Sequence, residues 1–249
     1  MRRLITILSI PLVVLSCGKR TPKVDYENQH SADSAKIENL ISDTTKTLVA
    51  DLPILFDSTK FLIHPIAAID LNAKLKRSFE SSSYSSSSYS ESDFDISSSR
   101  EDYISGNMTN LVFENVESKE ERLLTDNVIR IRTFRFLRDI FKKIKKEYLL
   151  YTVIDRDSNN DKKLDYNDIE SLYVSKIDGT DFKKLTKDQH EYFSGELITG
   201  NLKYYFKTIE DVNRDGQFDR HDKFHYYYLD FSGDAIKVTE YYPLKLIIK

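Results

Sequence analysis

Cysteine and tryptophan are nearly absent from this sequence of 249 residues: Cys17 is the only cysteine, and there is no tryptophan. A single cysteine cannot form a disulfide within the chain, so in an oxidising compartment the fold would benefit from another kind of cross-link, such as a metal ion. The sequence also lacks a long stretch with charges of a single sign, because its 37 Lys and Arg residues are interspersed with 40 Asp and Glu residues. The sequence therefore predicts no nucleic-acid partner.

Recognisable catalytic motifs are missing too. No GxSxG, phosphate-binding loop or HExxH pattern occurs, and no histidine lies in a pattern typical of zinc or nucleophile chemistry. The five histidines are His30, His64, His190, His221 and His225. We interpret His221 and His225 as surface or packing residues. The sequence thus predicts a protein that is not an enzyme, and it offers no catalytic residue.

The longest apolar run, from Leu4 to Leu15, is too short to span a bilayer. It follows the basic start Met1-Arg2-Arg3 and directly precedes Cys17, which is the order of a secretory signal. The residues before Cys17 resemble the lipobox of bacterial lipoproteins, in which the cysteine is lipidated and becomes the mature N-terminus. The resemblance implies a signal peptide over residues 1–16 and membrane attachment through a lipid on Cys17. The expected location is the bacterial cell envelope, at the outer membrane, on its periplasmic or surface side.

Beyond the cysteine, composition divides the chain into a tether and a folded domain. Residues 17–47 are mostly polar, which is typical of a flexible tether. From residue 48 onward, β-branched and aromatic runs alternate with turns and predict one β domain over residues 48–249. Within it, 13 of the 22 residues of segment 78–99 are serine. We expect a disordered loop there, and the alternative is an exposed pair of strands.

Two acidic segments of twelve residues, 157–168 and 211–222, follow one pattern. Each has oxygen-bearing side chains at positions 1, 3, 5, 9 and 12 and an apolar residue at position 8, as in loops that wrap a calcium ion. The predicted ligands in the first segment are Asp157, Asn159, Asp161, the carbonyl of Lys163, Asp165 through a water molecule, and Asp168. Those in the second segment are Asp211, Asn213, Asp215, the carbonyl of Gln217, Asp219 and Asp222. The sequence therefore predicts calcium, bound at two sites.

The starting residue of the first segment can be chosen from the pattern, and both segments depart from an ideal calcium loop at some positions. A start at Asp155 would put Tyr166 at position 12, so Asp157 is the better start. Position 6 requires a positive φ, which suits Gly216, whereas Lys162 would cost about 1 kcal/mol there. Position 12 is Asp rather than Glu, as in dockerin-type loops. One such segment is equally consistent with a solvated turn, but two copies in the same register favour calcium.

Both acidic segments belong to an internal repeat of 54 residues. β-branched and aromatic runs flank each segment, so the loops are predicted to connect strands rather than the helices of an ordinary EF-hand. A second pattern of strand, polar turn and strand recurs at residues 115–125, 176–186 and 230–239. The predicted fold class is mainly β, built from repeated hairpins in a meander, with one short amphipathic helix within residues 134–148.

Together these features resemble a family of bacterial surface or periplasmic lipoproteins with EF-hand-like or dockerin-like calcium loops in a fold similar to TolB-like or WD40-like β-propellers. The resemblance covers residues 48–249 and rests mainly on the two loops. It implies a small or incomplete propeller and bound calcium, but no activity.

From these features we predict a membrane-anchored, calcium-stabilised binding or interaction lipoprotein without enzymatic activity, whose ligand is a protein or a glycan. Two alternatives stay open. An enzyme that processes envelope glycans would need a pair of acids in a cleft. A dockerin-like assembly module would need helices beside its loops and a spacing shorter than 54 residues.

Overall fold

A computed structural model describes residues 21–26, 46–69, 97–100 and 102–247, and for residues 97–100 it describes only the backbone. These ranges contain fifteen strands and one α-helix. The strands are β1 Thr47–Ala50, β2 Ile54–Leu55, β3 Phe61–Ile69, β4 Ser97–Arg100, β5 Tyr103–Met108, β6 Asn110–Asn115, β7 Glu121–Leu123, β8 Arg130–Phe136, β9 Tyr148–Ile154, β10 Glu170–Lys176, β11 Lys183–Lys184, β12 His190–Ile198, β13 Lys203–Glu210, β14 Lys223–Asp230 and β15 Lys237–Tyr241. The helix, α1, spans Arg138–Ile144, and a 3-10 turn spans Thr199–Asn201.

The strands form three antiparallel sheets, which confirms the prediction of a mainly β fold. Sheet I has the order β1-β3-β6-β7, with β2 also paired to β3. Sheet II has the order β11-β10-β9-β8-β5-β4, and sheet III has the order β12-β13-β14-β15. Across the described ranges, no closed barrel or propeller is detected.

Sheet II lies between the other two sheets. One core cluster joins it to sheet I and contains Ile63, Phe113, Phe134 and Tyr151. A second cluster joins it to sheet III and contains Leu150, Leu172, Phe206 and Leu229. Strand β9 contributes to both clusters, since Tyr151 faces sheet I and Leu150 faces sheet III. Burial on both faces explains why β9 is apolar along nearly its whole length instead of alternating.

The recurring pattern of strand, polar turn and strand forms a hairpin in each sheet. Strand β7 pairs with β6, β11 with β10, and β15 with β14, all antiparallel. Each of these hairpins ends its sheet at one edge. In the second hairpin Gly179 has φ +78°, and a Cβ there would come within 2.6 Å of the Phe113 ring. The turn therefore needs glycine both for its backbone and for the approach of sheet I.

The predicted helix is shorter than its apolar period suggested. Residues 130–136 pair with β5 and β9 as strand β8, so Phe134 belongs to the sheet. Only Arg138–Ile144 is helical, with Ile140 buried and Lys142 and Lys143 exposed. At Phe134 the local pattern favours a helix, but backbone pairing with strands on both sides of β8 outweighs that local preference.

Several predictions fall on residues outside the described ranges. They include the signal peptide over residues 1–16, the lipid site Cys17 and most of the serine-rich segment 78–99. The last residues of that segment, 97–99, form the start of β4, in which Ser97 and Ser98 pair with β5. In the part of the chain that the structure describes, no helix has the length and apolar character needed to cross a membrane.

Candidate metal centres

The two predicted calcium segments are the connections of two β hairpins. Loop A (residues 157–168) joins β9 to β10, which pair along their full length. Loop B (residues 211–222) joins β13 to β14, which pair from Lys203 opposite Asp230 to Glu210 opposite Lys223. Both loops therefore connect strands, as the flanking residues predict.

In loop A, the side chains at positions 1, 3 and 5 turn inward and accept backbone hydrogen bonds. The carboxylate of Asp157 accepts from the N–H groups of Asp161 (3.2 Å) and Lys162 (2.8 Å). The side-chain oxygen of Asn159 accepts from Asp161 N–H (3.0 Å), and Asp161 accepts from Lys163 N–H (2.9 Å). The oxygen side chains thus converge on the interior of the loop, as in a calcium-binding turn.

Loop B repeats three of these four hydrogen bonds at the same positions. Asp211 accepts from the N–H of Gly216 (2.8 Å). Asn213 accepts from Asp215 N–H (3.1 Å), and Asp215 accepts from Gln217 N–H (2.9 Å). The shared pattern in the sequence therefore corresponds to a shared local conformation.

The aspartate at position 12 closes each loop. In loop A, the carboxylate of Asp168 is fully buried and accepts from the N–H groups of Ser158 (2.7 Å) and Asp165 (2.8 Å). In loop B, Asp222 likewise accepts from the N–H of Asp219 (2.7 Å). Burial raises the pKa of Asp168 from 3.8 to about 6, because a charged carboxylate is poorly solvated there. A bound cation would favour the charged form.

The backbone supports the predicted register. At position 6, Lys162 has φ 66° and Gly216 has φ 80°, so both loops make the predicted turn. At position 4, Asn160 and Arg214 also have positive φ, of 57° and 58°. The rejected start, Asp155, lies outside the loop, and its carboxylate accepts hydrogen bonds from other elements. Those donors are Tyr173 Oη (2.7 Å) and Lys184 Nζ (2.8 Å).

The residues present fit calcium. All predicted donors are oxygen atoms, which hard cations prefer. Asp211 is buried, and among the described residues its Oδ1 has no hydrogen-bond partner. A buried carboxylate oxygen without a partner is costly unless an ion or water binds it. Position 1 of loop B therefore has an oxygen available for a cation.

A segment of the predicted tether lies across both loops. We call residues 21–26 the N-terminal strap. Three of its backbone N–H groups donate to loop carbonyls: Lys23 to Asn167 (2.8 Å), Asp25 to Ser158 (2.8 Å) and Val24 to Gly216 (2.9 Å). Successive N–H groups of an extended chain point to opposite sides, so residues 23 and 25 bind loop A while residue 24 binds loop B. The strap therefore joins the two candidate sites directly.

The structure also brings together a cluster that sequence reasoning missed. His190, Glu210 and His225 each offer one ligand atom, and these atoms lie within 4.8 Å of one another. Thr208 and Glu240 bond to the two histidines from the same face of sheet III. Burial, followed by the charge of His225, lowers the pKa of His190 to about 4. No linear motif joins residues 190, 210 and 225, so only their alternation along neighbouring strands could have suggested the cluster.

The tyrosines of sheet III are divided between its two faces. Tyr204 and Tyr227 are buried toward sheet II. Aromatic residues also cover the opposite face of sheet III. We call this surface the outer aromatic face and define it as Phe193, Tyr205, Phe224, Tyr226, Tyr228 and Tyr241. Its rings contact one another, with centroids 5.0 to 6.1 Å apart. Lys203 lies 4.0 Å from the Tyr228 ring and Lys207 lies 4.6 Å from the Phe193 ring.

Two cavities lie beside these elements. One, of about 850 Å³, is lined by Asp126, Asp155 and Asp181, among others. Asp155 bonds to Lys184 and Asp181 to Lys176, so these two acids are engaged by cations. The other, of about 720 Å³, is lined by His225, Glu240 and residues of the outer aromatic face.

Compared with known proteins, the chain matches no family model, no curated protein and no solved structure.

Proposed function

We propose that this protein is a lipid-anchored binding protein of the bacterial cell envelope, without enzymatic activity, whose fold is stabilised by two calcium ions. One observation carries the proposal: loops A and B have the same inward-turned oxygen side chains, and the N-terminal strap joins them. Calcium is abundant outside the cytoplasm and would supply the cross-link that a chain with one cysteine lacks.

Each ion would be held by the side chains at positions 1, 3, 5 and 12, by the carbonyl at position 7, and by the side chain at position 9 through water. A bound ion neutralises the carboxylates that are crowded in each loop. Because calcium binds the folded loops and not the unfolded chain, it adds to the free energy of unfolding, by roughly 2.7 kcal/mol at a hundredfold excess over the dissociation constant.

The outer aromatic face supports a binding role. Aromatic rings that are partly exposed provide flat apolar surfaces with polar edges, which suit sugars and protein side chains alike. The cavity of about 720 Å³ borders this face, and Phe224, Tyr226, Tyr241 and Tyr242 are among the residues that line it. We infer that the ligand, a glycan or a protein segment, contacts this side of sheet III.

The hairpin units around loops A and B also support one repeated architecture. Each consists of a strand, an acidic loop, a second strand, and a polar turn to an edge strand. We infer that this unit is the repeat of a small, propeller-like arrangement.

The proposal is tested by thermal unfolding of the soluble chain, residues 18–249. We expect a rise in Tm of several degrees in millimolar calcium relative to chelator, and little rise in magnesium. Asp161→Ala combined with Asp215→Ala should unfold in calcium at the temperature of the chelated wild type. Asp126→Ala with Asp234→Ala, which removes two exposed acids outside the loops, should keep the calcium response. An equal Tm with calcium and with chelator would exclude both sites.

A further inference from the structure

The cluster of His190, Glu210 and His225 has the composition of a transition-metal site. The three residues lie on neighbouring strands β12, β13 and β14 at the end of sheet III that adjoins loop B. His190 pairs with Glu210 across the first strand pair, and Thr208 pairs with His225 across the second. This register places all of them on the inner face of the sheet, where both histidines are buried.

We propose that His190, Glu210 and His225 bind a divalent transition metal of the zinc type, in addition to the two calcium ions. Two imidazoles and one carboxylate are a ligand set that zinc uses where a fourth position stays open. Calcium prefers oxygen ligands alone, so the two kinds of site select different ions.

The groups around the cluster orient the two histidines as ligands. Nδ1 of His190 lies 3.0 Å from Oγ1 of Thr208, and Nδ1 of His225 lies 3.0 Å from Oε1 of Glu240. Hydrogen bonds at Nδ1 fix the ring orientation and leave Nε2 as the ligand nitrogen, which is how metal-binding histidines are usually supported. Nε2 of His225 lies 2.6 Å from Oε2 of Glu210. A metal would replace the proton between these two atoms and release it to solvent.

A cavity lies next to one of the three proposed ligands. His225 and Glu240 line the cavity of about 720 Å³ that borders loop B and the outer aromatic face. Of the three proposed ligands, His225 borders this space, which is large enough for a small ligand. An anionic or carbonyl oxygen of such a ligand is the chemistry that a zinc ion with an open position binds.

The test is a metal titration of the full chain in detergent with excess calcium present, using zinc against a chromophoric chelator and cobalt as a spectroscopic probe. We expect one equivalent of zinc to bind, and cobalt to give the intense visible absorption of a tetrahedral site. His190→Ala should remove binding at zinc concentrations that saturate the wild type. Glu210→Gln, which keeps the side-chain volume, should also remove zinc binding, and it tests the site even if His190→Ala fails to fold. Thr208→Val should weaken affinity by about 10- to 100-fold.

Two controls separate this site from the calcium loops. His221→Ala removes an exposed histidine of loop B and should leave the zinc stoichiometry unchanged. Asp161→Ala with Asp215→Ala should also retain one zinc, whether or not the loops bind calcium. Absence of zinc binding in the wild type, or unchanged binding in Glu210→Gln, would mean that the cluster is a metal-free network of hydrogen bonds and would overturn the proposal.

Discussion

Loops A and B differ at position 6, where one has lysine and the other glycine. Gly216 adopts φ 80° at little cost, whereas Lys162 adopts φ 66° with a side chain that the left-handed region disfavours. Gly216 is needed for a second reason, because a Cβ there would lie 2.4 Å from the carbonyl oxygen of Val24. One glycine thus permits both the turn of loop B and the close approach of the strap.

Lys162→Gly should therefore stabilise loop A. We expect the free energy of unfolding to rise by about 0.5–1 kcal/mol, because glycine removes the strain of the positive φ. Lys163→Gly is the matched control, since residue 163 has no positive φ and should lose a similar amount through chain entropy. Urea denaturation in calcium measures both variants. Equal changes in the two would contradict a special backbone at position 6.

The buried carboxylate of Asp168 predicts how the calcium-free protein responds to pH. Its pKa of about 6 exceeds the value of 3.8 expected in the unfolded chain, so the folded state binds the proton more tightly. The free energy of unfolding should therefore decrease as pH rises from about 4 to 6, by up to roughly 3 kcal/mol at about 1.4 kcal/mol per unit of pKa. By about pH 7, one unit above the folded pKa, this loss is complete, and calcium should restore the stability.

The measurement is urea denaturation between pH 4 and 7 of protein dialysed free of divalent ions. Asp168→Asn, which does not titrate, should remove this component of the pH dependence. The calcium-induced rise in Tm should also be smaller at pH 5 than at pH 7, because protons compete for the same oxygens. A calcium effect that is independent of pH would contradict a role for Asp168 in binding.

The N-terminal strap is an element that the sequence does not predict. Residues 21–26 read as part of a polar tether, yet Val24 is buried between the two loops and its neighbours bond to loop A. Ser158 adds a side-chain hydrogen bond to the carbonyl of Lys23 (2.7 Å). The strap donates to carbonyls of both loops, so its hydrogen bonds require the two hairpins to lie side by side.

Val24→Pro should uncouple the strap from loop B. Proline has no N–H to donate to the carbonyl of Gly216, so we expect a loss of about 1–3 kcal/mol in the calcium-bound protein. Lys23→Ala is the control, because it removes an exposed side chain and keeps the backbone bonds. Thermal unfolding in calcium compares the two. If both variants unfold at the wild-type temperature, the strap contributes no stability.

The strands, hairpins and helix also show which local structures the sequence patterns predict correctly and which they do not. The strands that flank each loop and the three edge hairpins are where β-branched runs and polar turns predict them. The helix prediction included Phe134, because its apolar spacing matched a helical period. That residue lies in β8 instead, since pairing with β5 and β9 satisfies the backbone along both edges. A local period cannot detect partners that are distant in sequence.

At the scale of the whole molecule, the strap would limit the distance between a lipid on Cys17 and the loops. Lys23 is six residues beyond Cys17, and a chain extends by at most about 3.6 Å per residue. If Cys17 is lipidated, Lys23 lies within roughly 22 Å of the anchor. Loops A and B would then lie near the membrane surface, regardless of the length of the tether that follows the strap.

A spin label on Lys23→Cys tests this arrangement in vesicles. We expect strong relaxation of the label by nickel chelated to lipid headgroups, because the short connection holds it near the surface. Val24→Pro should leave this proximity unchanged, since it alters the strap and not the anchor. Cys17→Ser, which cannot be lipidated, should abolish the relaxation and release the protein from the membrane fraction. Membrane association that persists in Cys17→Ser would exclude the lipid anchor.

The sequence by itself determined the strands that flank the two acidic loops and the three edge hairpins, because each depends on interactions within about thirty residues. It also predicted the left-handed backbone at position 6, which a twelve-residue calcium loop requires. Only the tertiary structure decided how the three sheets stack, where the strap lies, and that His190, Glu210 and His225 meet. These contacts join residues that are far apart in the chain, and strand alternation brings them to one face only after the register of sheet III is set.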